Sequence, residues 1–211
     1  MEASDTVIPP PGSPAEPDER VRTRLLNAAV HVFDRKGYAG ASVREIAEAA
    51  GVTKPALYYH FGNKEGVLLA VLRQAQEEFA GVVDHAIARP GSARDRIAAL
   101  CEDVYGLFGR HIPVARVAHA VFFGPPDGAP PFDVTVFEAR LRQAIEQIVA
   151  DGLASGELRA VPIRDVALAV MGILEGCADR QLHPAFEPVG AEGVRRLINL
   201  LFDGVMNAPR R

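Results

Sequence analysis

Two short helices that follow each other across a glycine turn constrain the fold more than any other feature of the sequence. The first begins with a capping box at residues 42–45, where the Ser42 hydroxyl can accept a hydrogen bond from the backbone N–H of Glu45 and the Glu45 carboxylate can accept one from that of Ser42. Gly51 ends this helix after about two turns. Its apolar residues recur with helical spacing: Val43, Ile46, Ala47 and Ala50.

The second short helix begins at Thr53, whose side chain can cap it. Pro55 is tolerated in its first turn because amides there have no intrahelical acceptor. Gly62 interrupts the pattern, and Asn63 can cap a longer helix that follows. Helix, tight glycine turn and helix is the arrangement that places a recognition helix in the major groove of DNA.

The composition of this second helix is unusual for a surface element. Leu57 can pack inward together with Ala56, which leaves a lysine and three aromatic rings for the outer surface. These are Lys54, Tyr58, Tyr59 and His60. A simpler interpretation is that the amphipathic rings cover a small core. The capping box, the glycine turn and the cationic surroundings favour a helix that reads DNA.

Charge is segregated along the chain although the net charge is only −4. Residues 1–19 carry a charge of −5 with no lysine or arginine, residues 20–64 carry +5, and the remainder carries −4. A compact cationic segment beside an acidic body is typical of localised phosphate contact, and a charge run is also typical of an ordinary solvated face.

The domain organisation follows from proline clusters and from the period of the apolar residues. Residues 1–17 contain five prolines and few large apolar groups, which predicts a flexible tail. A three-helix DNA-binding domain is predicted at 18–66, with a first helix from Asp18 to Lys36 that stops at Gly37, and a helical effector-binding and dimerisation domain at 67–211. A breaker cluster at residues 124–131 predicts a loop. The whole is predicted to be all-α, with later helices near 93–109, 112–123, 133–155, 164–180 and 191–206.

Several classes of protein are disfavoured by the sequence. The N-terminus has no basic start followed by an apolar stretch, and no apolar run approaches the roughly 18 residues of a membrane span, so we expect a cytoplasmic protein. Cys101 and Cys177 are too few for a disulfide framework and are expected to be small buried hydrophobes. No phosphate-cradling loop, nucleophile elbow or metal-ligating helix motif occurs, so we expect no catalysis, no cofactor and no metal.

Residues 20–68 resemble the DNA-binding head of the TetR family of regulators. The resemblance depends on four segments: 42–47 (SVREIA), 50–54 (AGVTK), 57–61 (LYYHF) and 63–65 (NKE). It implies a homodimeric, all-helical regulator that binds an inverted-repeat operator in double-stranded DNA and releases it when a small molecule enters the body.

The resemblance also implies the residues that contact the operator. They are Ser42, Arg44, Thr53, Lys54, Pro55, Tyr58, Tyr59, His60 and Lys64. Lys54 is expected to read bases because the N-terminal residues of a recognition helix reach base edges. The Tyr hydroxyls, His60 and Lys64 are expected to hold phosphates.

Helices at 164–180 and 191–206 are predicted to form the homodimer. Each carries an apolar stripe that needs covering, by a second copy or by the same chain's core: Val166, Ala169, Val170, Ile173, Leu174 and Cys177 on the first helix, and Val194, Leu197, Ile198, Leu201, Phe202 and Val205 on the second. In the resembled family the matching helices form a four-helix bundle with their copies. Gly172 and Gly176 would permit close approach of helices.

A small lipophilic effector is expected among the middle helices, although aromatic residues at helical spacing are more often core. The candidate residues are Tyr105, Phe108, His111, Arg116, His119, Phe122, Phe123, Met171 and Glu175. The leading interpretation is a ligand-responsive DNA-binding repressor. The alternative is an all-helical small-molecule-binding protein or enzyme with a basic N-terminal protein-interaction module.

Overall fold

The computed structural model describes residues 17–124, 128–133 and 135–205, and every regular element that it describes there is a helix. The helices are α1 (Pro17–Gly40), α2 (Val43–Ala49), α3 (Lys54–Phe61), α4 (Lys64–Ala88), α5 (Ala93–Arg110), α6 (Ile112–Phe123), α7 (Thr135–Ala154), α8 (Ile163–Leu182) and α9 (Gly190–Val205). The all-α prediction is confirmed for this part of the chain. Residues 1–16 of the predicted tail (1–17) and residues 125–127 of the predicted loop lie outside the described residues, whereas Pro17, the last residue of that tail, begins α1.

Local side-chain chemistry determines where the early helices begin and end. Gly37 interrupts α1 with a φ of 68°, a backbone conformation that favours glycine. Ser42 caps α2 in a complete capping box with Glu45. The side-chain oxygen Asn63 Oδ1 accepts a hydrogen bond of 2.7 Å from the backbone N–H of Gly66, which confirms Asn63 as the cap of α4. Thr53 occupies the cap position of α3 without a side-chain hydrogen bond, so its predicted capping bond is wrong.

The chain forms two compact units. The first contains the described residues up to Ala75 together with 111–132, so that α6 packs on α1 within it. Its apolar centre is formed by α1, α2, α3 and the start of α4, where Leu25, Ile46 and Leu57 are fully buried. The predicted boundary between a DNA-binding domain and an effector-binding domain, after residue 66, is defined by function, and it stays a prediction.

The second unit contains residues 76–110 and the described residues from 133 onward. Its core is built mainly by α5, α7, α8 and α9, with α5 packed on α9 and α7 on α8. The Glu157 carboxylate accepts hydrogen bonds from the first backbone N–H groups of α5, at 2.8 Å from Ala93 and 3.2 Å from Arg94. Both cysteines are free and buried here, and burial raises the pKa of Cys101 to about 12.

Across the described ranges, each helix is either too short or too polar to cross a lipid bilayer.

Candidate nucleic-acid interface

Helix α3 exposes half of its eight residues to solvent. Only Leu57 is fully buried, at the centre of the first unit. The exposed side chains include two large aromatic rings, those of Tyr58 at 51% and Tyr59 at 78% exposure. The N-terminal turn of the helix is exposed as well, at Thr53, Lys54 and Pro55. Four of the predicted contact residues are therefore exposed on α3, and a fifth, Thr53, is exposed at its N-terminal cap position.

Arg44 lies exposed in the first turn of α2 and is held by its own helix. Its Nε donates to Glu48 Oε1 at 2.7 Å, one turn further along. This hydrogen bond with the Glu48 carboxylate raises the pKa of Arg44 above its ordinary value. Because Nε is engaged, the two terminal nitrogens form the edge of the guanidinium that remains for a bidentate contact with guanine or phosphate.

Ser42 is used by the capping box itself. Its hydroxyl donates to Glu45 Oε2 at 2.8 Å and accepts from the Glu45 backbone N–H at 3.2 Å. Its own backbone N–H donates to the same carboxylate at 3.0 Å. A phosphate oxygen needs a donor, and both donors of Ser42 are engaged. Hydrogen bonds from Lys36 and from Ser42 lower the pKa of Glu45 to about 2, so the carboxylate that closes this network is ionised at neutral pH.

Lys64, at the start of α4, is half-buried and also makes intramolecular contacts. Its ammonium donates to two backbone carbonyls between the break at Gly37 and the start of α2, Tyr38 O at 2.8 Å and Ala41 O at 3.0 Å. It also lies 4.2 Å from the centre of the Tyr38 ring.

His60 is not on the outer surface of α3 where the sequence placed it. Its side chain is only 6% exposed, and Nε2 lies 3.5 Å from Asp18 Oδ1 at the start of α1. The ring packs edge-on against Tyr59 at 5.1 Å between centroids. An eight-residue helix that buries Leu57 turns the residue three positions later toward the same side, which is why the predicted exposure of His60 is wrong.

The first unit also contains the segment that matches a known family. A family model described as "Bacterial regulatory proteins, tetR family" matches residues 25–71. The repressor KstR2 of Mycolicibacterium smegmatis is 30% identical over 165 residues, which cover 75% of this chain and 76% of KstR2. The chain belongs to the TetR family.

Other TetR-family relatives match a smaller part. The activator FasR of the same organism is 42% identical over 85 residues, and this alignment spans 40% of the present chain and only 38% of FasR. The similarity to this relative is thus confined to well under half of its length.

Solved structures of the family show the same fold along most of the chain. PfmR from Thermus thermophilus superposes with a TM-score of 0.73 at 23% identity, covering 89% of this chain and 98% of PfmR. AibR in complex with isovaleryl coenzyme A and operator DNA gives a TM-score of 0.67 at 22% identity, covering 87% and 98%.

In this TetR-family protein, the apolar residues that α8 and α9 expose are mostly not those of the predicted apolar stripes. Most stripe residues are covered by the chain's own second unit, the second of the two coverings that the sequence left open: Val166, Val170, Leu174, Cys177, Val194, Ile198 and Phe202. The side chain of Val205 lies outside the described residues. A different face remains open, with Leu168 at 73% and Leu200 at 68% exposure. Gly172 and Gly176 follow Leu168 at intervals of one turn, and a side chain at either would meet open space.

The predicted effector residues are divided between the two units of this TetR-family protein. Tyr105, Phe108 and Met171 pack in or against the core of the second unit, and Glu175 is exposed on α8. The first unit contains His111, Arg116, His119 and Phe122. In it, the Phe122 ring stacks on Phe132 with centroids 6.1 Å apart. The side chain of Phe123 lies outside the described residues, and the effector assignment stays a prediction.

Sequence reasoning missed Glu48 and the exposed pair Leu168 and Leu200. The spacing of four between Arg44 and Glu48 was a readable signal for their hydrogen bond, whereas the two leucines belong to no continuous apolar stripe. Within the ranges that the structure covers, no group of three or more His, Cys, Asp or Glu is arranged to hold a metal ion.

Proposed function

We propose that this protein is a ligand-responsive transcriptional repressor that binds an inverted-repeat operator as a homodimer and is released by a small lipophilic effector. The observation that carries the proposal is the orientation of α3. This helix buries Leu57 and exposes Lys54, Tyr58 and Tyr59, in the part of the chain where basic residues outnumber acidic ones by five. The arrangement supports a recognition helix lying in the major groove.

The exposed residues divide by chemistry into two roles. Lys54 lies at the N-terminal end of α3, the end that reaches base edges, and is proposed to read sequence together with Arg44. The hydroxyls of Tyr58, Tyr59 and Thr53 are proposed to hold phosphates, which orient the protein on the duplex without reading its sequence.

A homodimer explains how two helices of only eight residues could define an operator. Two copies related by a two-fold axis place their recognition helices in successive major grooves about 34 Å apart. The open face of Leu168, Gly172 and Gly176 on α8, with Leu197 and Leu200 on α9, supports self-association, because glycine allows helix backbones to approach closely.

Effector response requires a route between the two units, and α4 supplies one because its residues belong to both. We propose that an effector in the helical body shifts α4 and so changes the separation of the two recognition helices in the dimer. Such coupling needs different effector affinities in the two arrangements. AibR, which shares the fold, was crystallised with an acyl-coenzyme A as well as operator DNA, which supports an effector with an apolar chain.

Selection from a random duplex library tests the DNA-binding proposal. The wild-type protein is expected to enrich an inverted repeat and to prefer it over a shuffled duplex by at least about 1000-fold at physiological salt. Equal affinity for both duplexes would contradict the proposal and favour a basic module for acidic protein partners.

Calorimetric titration with fatty acids, acyl-coenzyme A thioesters, aromatic drugs and polar metabolites tests the effector class. Any compound that binds is then added to the complex with the selected duplex, where it is expected to weaken binding about 10- to 100-fold. Binding of highly polar compounds alone would contradict a lipophilic effector, and binding without any change in duplex affinity would contradict the coupling.

A further inference from the structure

We propose that Lys64 is a positioning residue, whose ammonium orders residues 38–41, the turn that leads from the break at Gly37 into α2, and thereby fixes the start of α2, instead of binding an operator phosphate. This proposal rests on the proposed function. It changes the role that the resemblance assigns to Lys64 and identifies which cation of this surface does not contact DNA directly.

The ammonium of Lys64 lies among three acceptors from one short turn. The carbonyl oxygens of Tyr38 and Ala41 lie 2.8 and 3.0 Å from Nζ, and the face of the Tyr38 ring is 4.2 Å away. An ammonium has three N–H donors, and two of them are used by the carbonyls. The aromatic face stabilises the same charge from a third side.

The turn that Lys64 holds is the one that aims α2. It begins just after the break at Gly37, and Ala41, which is buried, precedes the cap residue Ser42 directly. The Ala41 backbone N–H also donates to Tyr38 O at 3.3 Å, so one carbonyl is shared by the turn and the ammonium. Moving Nζ toward solvent would deprive both carbonyls of a charged donor, which is a stronger partner than a neutral one.

Arg44 is the functional residue that depends on this turn. It follows Ala41 by three positions, in the first turn of α2, and its guanidinium is exposed. A turn that loses its cation lets the start of α2 move, and a bidentate contact is sensitive to such displacement because its geometry is fixed. Removing the Lys64 ammonium should therefore reduce sequence-specific binding more than general attraction to DNA.

The salt dependence of binding separates this role from a phosphate contact. Each phosphate that a cation neutralises contributes about −0.9 to the slope of log K against log salt on duplex DNA. A direct contact predicts that Lys64→Met makes the slope less steep by about 1.8 for a dimer, which carries two copies of Lys64, on every duplex. A positioning role predicts an unchanged slope.

The main experiment compares three variants on the duplex selected by the wild-type protein and on a shuffled duplex, across a salt series. Lys64→Met is expected to bind the selected duplex about tenfold more weakly, to bind the shuffled duplex within about twofold of wild type, and to keep the wild-type slope. Lys64→Arg keeps the charge but replaces a compact ammonium with a planar, longer group, and it is expected to lose specific affinity too. Lys54→Met is the comparison for the proposed base-reading lysine and is also expected to lose affinity for the selected duplex, and the labelling experiment separates the two lysines.

Chemical labelling of the wild-type protein tests the same claim without a variant, which matters if Lys64→Met fails to fold. The chain has only three lysines, at positions 36, 54 and 64. With an amine-reactive reagent and mass spectrometry, Lys64 is expected to react at least about tenfold more slowly than Lys54 in free protein, since its amine is engaged by two carbonyls. Adding the selected duplex should protect Lys54 and leave the Lys64 rate unchanged.

Two results would overturn the proposal. One is a salt dependence that is less steep by about 1.8 for the Lys64→Met dimer on both duplexes, with wild-type affinity for the selected duplex in Lys64→Arg. The other is fast labelling of Lys64 that the duplex suppresses. If the wild-type protein selects no duplex at all, the proposed function fails, and the labelling rates of free protein still show whether the ammonium occupies the turn.

Discussion

His60 Nε2 lies 3.5 Å from Asp18 Oδ1, which joins the last turn of α3 to the first turn of α1. The imidazole is almost completely buried at 6% exposure, whereas the Asp18 side chain is 67% exposed. The neighbouring Tyr59 ring is packed against this imidazole and is itself open to solvent. His60 thus packs on the buried side of the last turn of α3, against the start of α1, and the adjacent Tyr59 faces solvent.

Replacing His60 with alanine should destabilise the protein more than replacing its exposed neighbour. His60→Ala removes a buried ring and is expected to lower the free energy of unfolding by about 1–2 kcal/mol. Tyr59→Ala, the matched control on the same helix, should change it by less than about 0.5 kcal/mol. Urea unfolding followed by circular dichroism measures both. Equal losses for the two variants would place the imidazole on the surface and contradict the structure.

Glu48 is expected to sharpen the sequence preference of Arg44. Glu48→Ala frees the Arg44 guanidinium to rotate, so the affinity ratio between the selected and the shuffled duplex should fall about two- to threefold. Glu48→Gln keeps a side-chain acceptor for Arg44 Nε and should retain the wild-type ratio. Both variants remove a negative charge from the DNA-facing surface and should bind every duplex more tightly. Competition binding checks this, and a lowered ratio in both variants would show that only the charge matters.

The open face of α8 and α9 is expected to be the homodimer contact. Leu200→Asp places a charge where a leucine is 68% exposed in the single chain, and it should raise the dimer dissociation constant by about 30-fold or more, which is typical of a central interface residue. Val136→Asp is the matched control, because Val136 is an exposed apolar residue of α7 in the same unit. Sedimentation velocity should show monomers only for Leu200→Asp. If Leu200→Asp and Val136→Asp both remain dimeric, the open face of α8 and α9 is not the dimer contact.

The carboxylate of Glu45 should stabilise the fold in a pH-dependent way. Its pKa is lowered from 4.5 to about 2, first by the hydrogen bond from Lys36 and then by that from Ser42. A lowered pKa in the folded state means that the stabilisation is complete above about pH 4.5 and is lost as the pH falls toward 2. Glu45→Gln should therefore be less stable than wild type at pH 7, and the difference should shrink steadily below about pH 4.5.

Urea unfolding at pH 7, 5, 4 and 3 measures this difference. Glu65→Gln serves as the control, since Glu65 is an exposed acidic residue in the first turn of another helix of the same unit. A difference between wild type and Glu45→Gln that is the same at pH 7 and pH 3 would show that the carboxylate contributes no charge-dependent stabilisation.

The sequence predicted well those features that depend on contacts between near neighbours. The capping box of Ser42 and Glu45 spans three residues, the Asn63 cap acts on Gly66, and the break at Gly37 depends on its own backbone. Each is determined by local hydrogen bonding or backbone sterics, which a short stretch of sequence contains in full.

Contacts between distant residues could not be predicted in the same way. Lys64 reaches carbonyls 23 and 26 positions earlier, and nothing in its own segment indicates them. Apolar periodicity on α8 shows that Val170 and Leu174 need covering but not which surface covers them, and the structure buries both in the chain's own core. The exposed leucine of the same helix, Leu168, lies outside that stripe, so the periodicity did not indicate that its side chain would face solvent.

A hydroxyl-radical footprint of the wild-type protein on the duplex that it selects tests the central claim most directly. If α3 is a recognition helix presented twice by a two-fold dimer, two symmetric protected blocks will appear with centres about 10–10.5 base pairs, or a multiple of that spacing, apart. They will disappear when the half-sites are shuffled. Uniform protection that is indifferent to sequence, or no protection at all, would contradict the account.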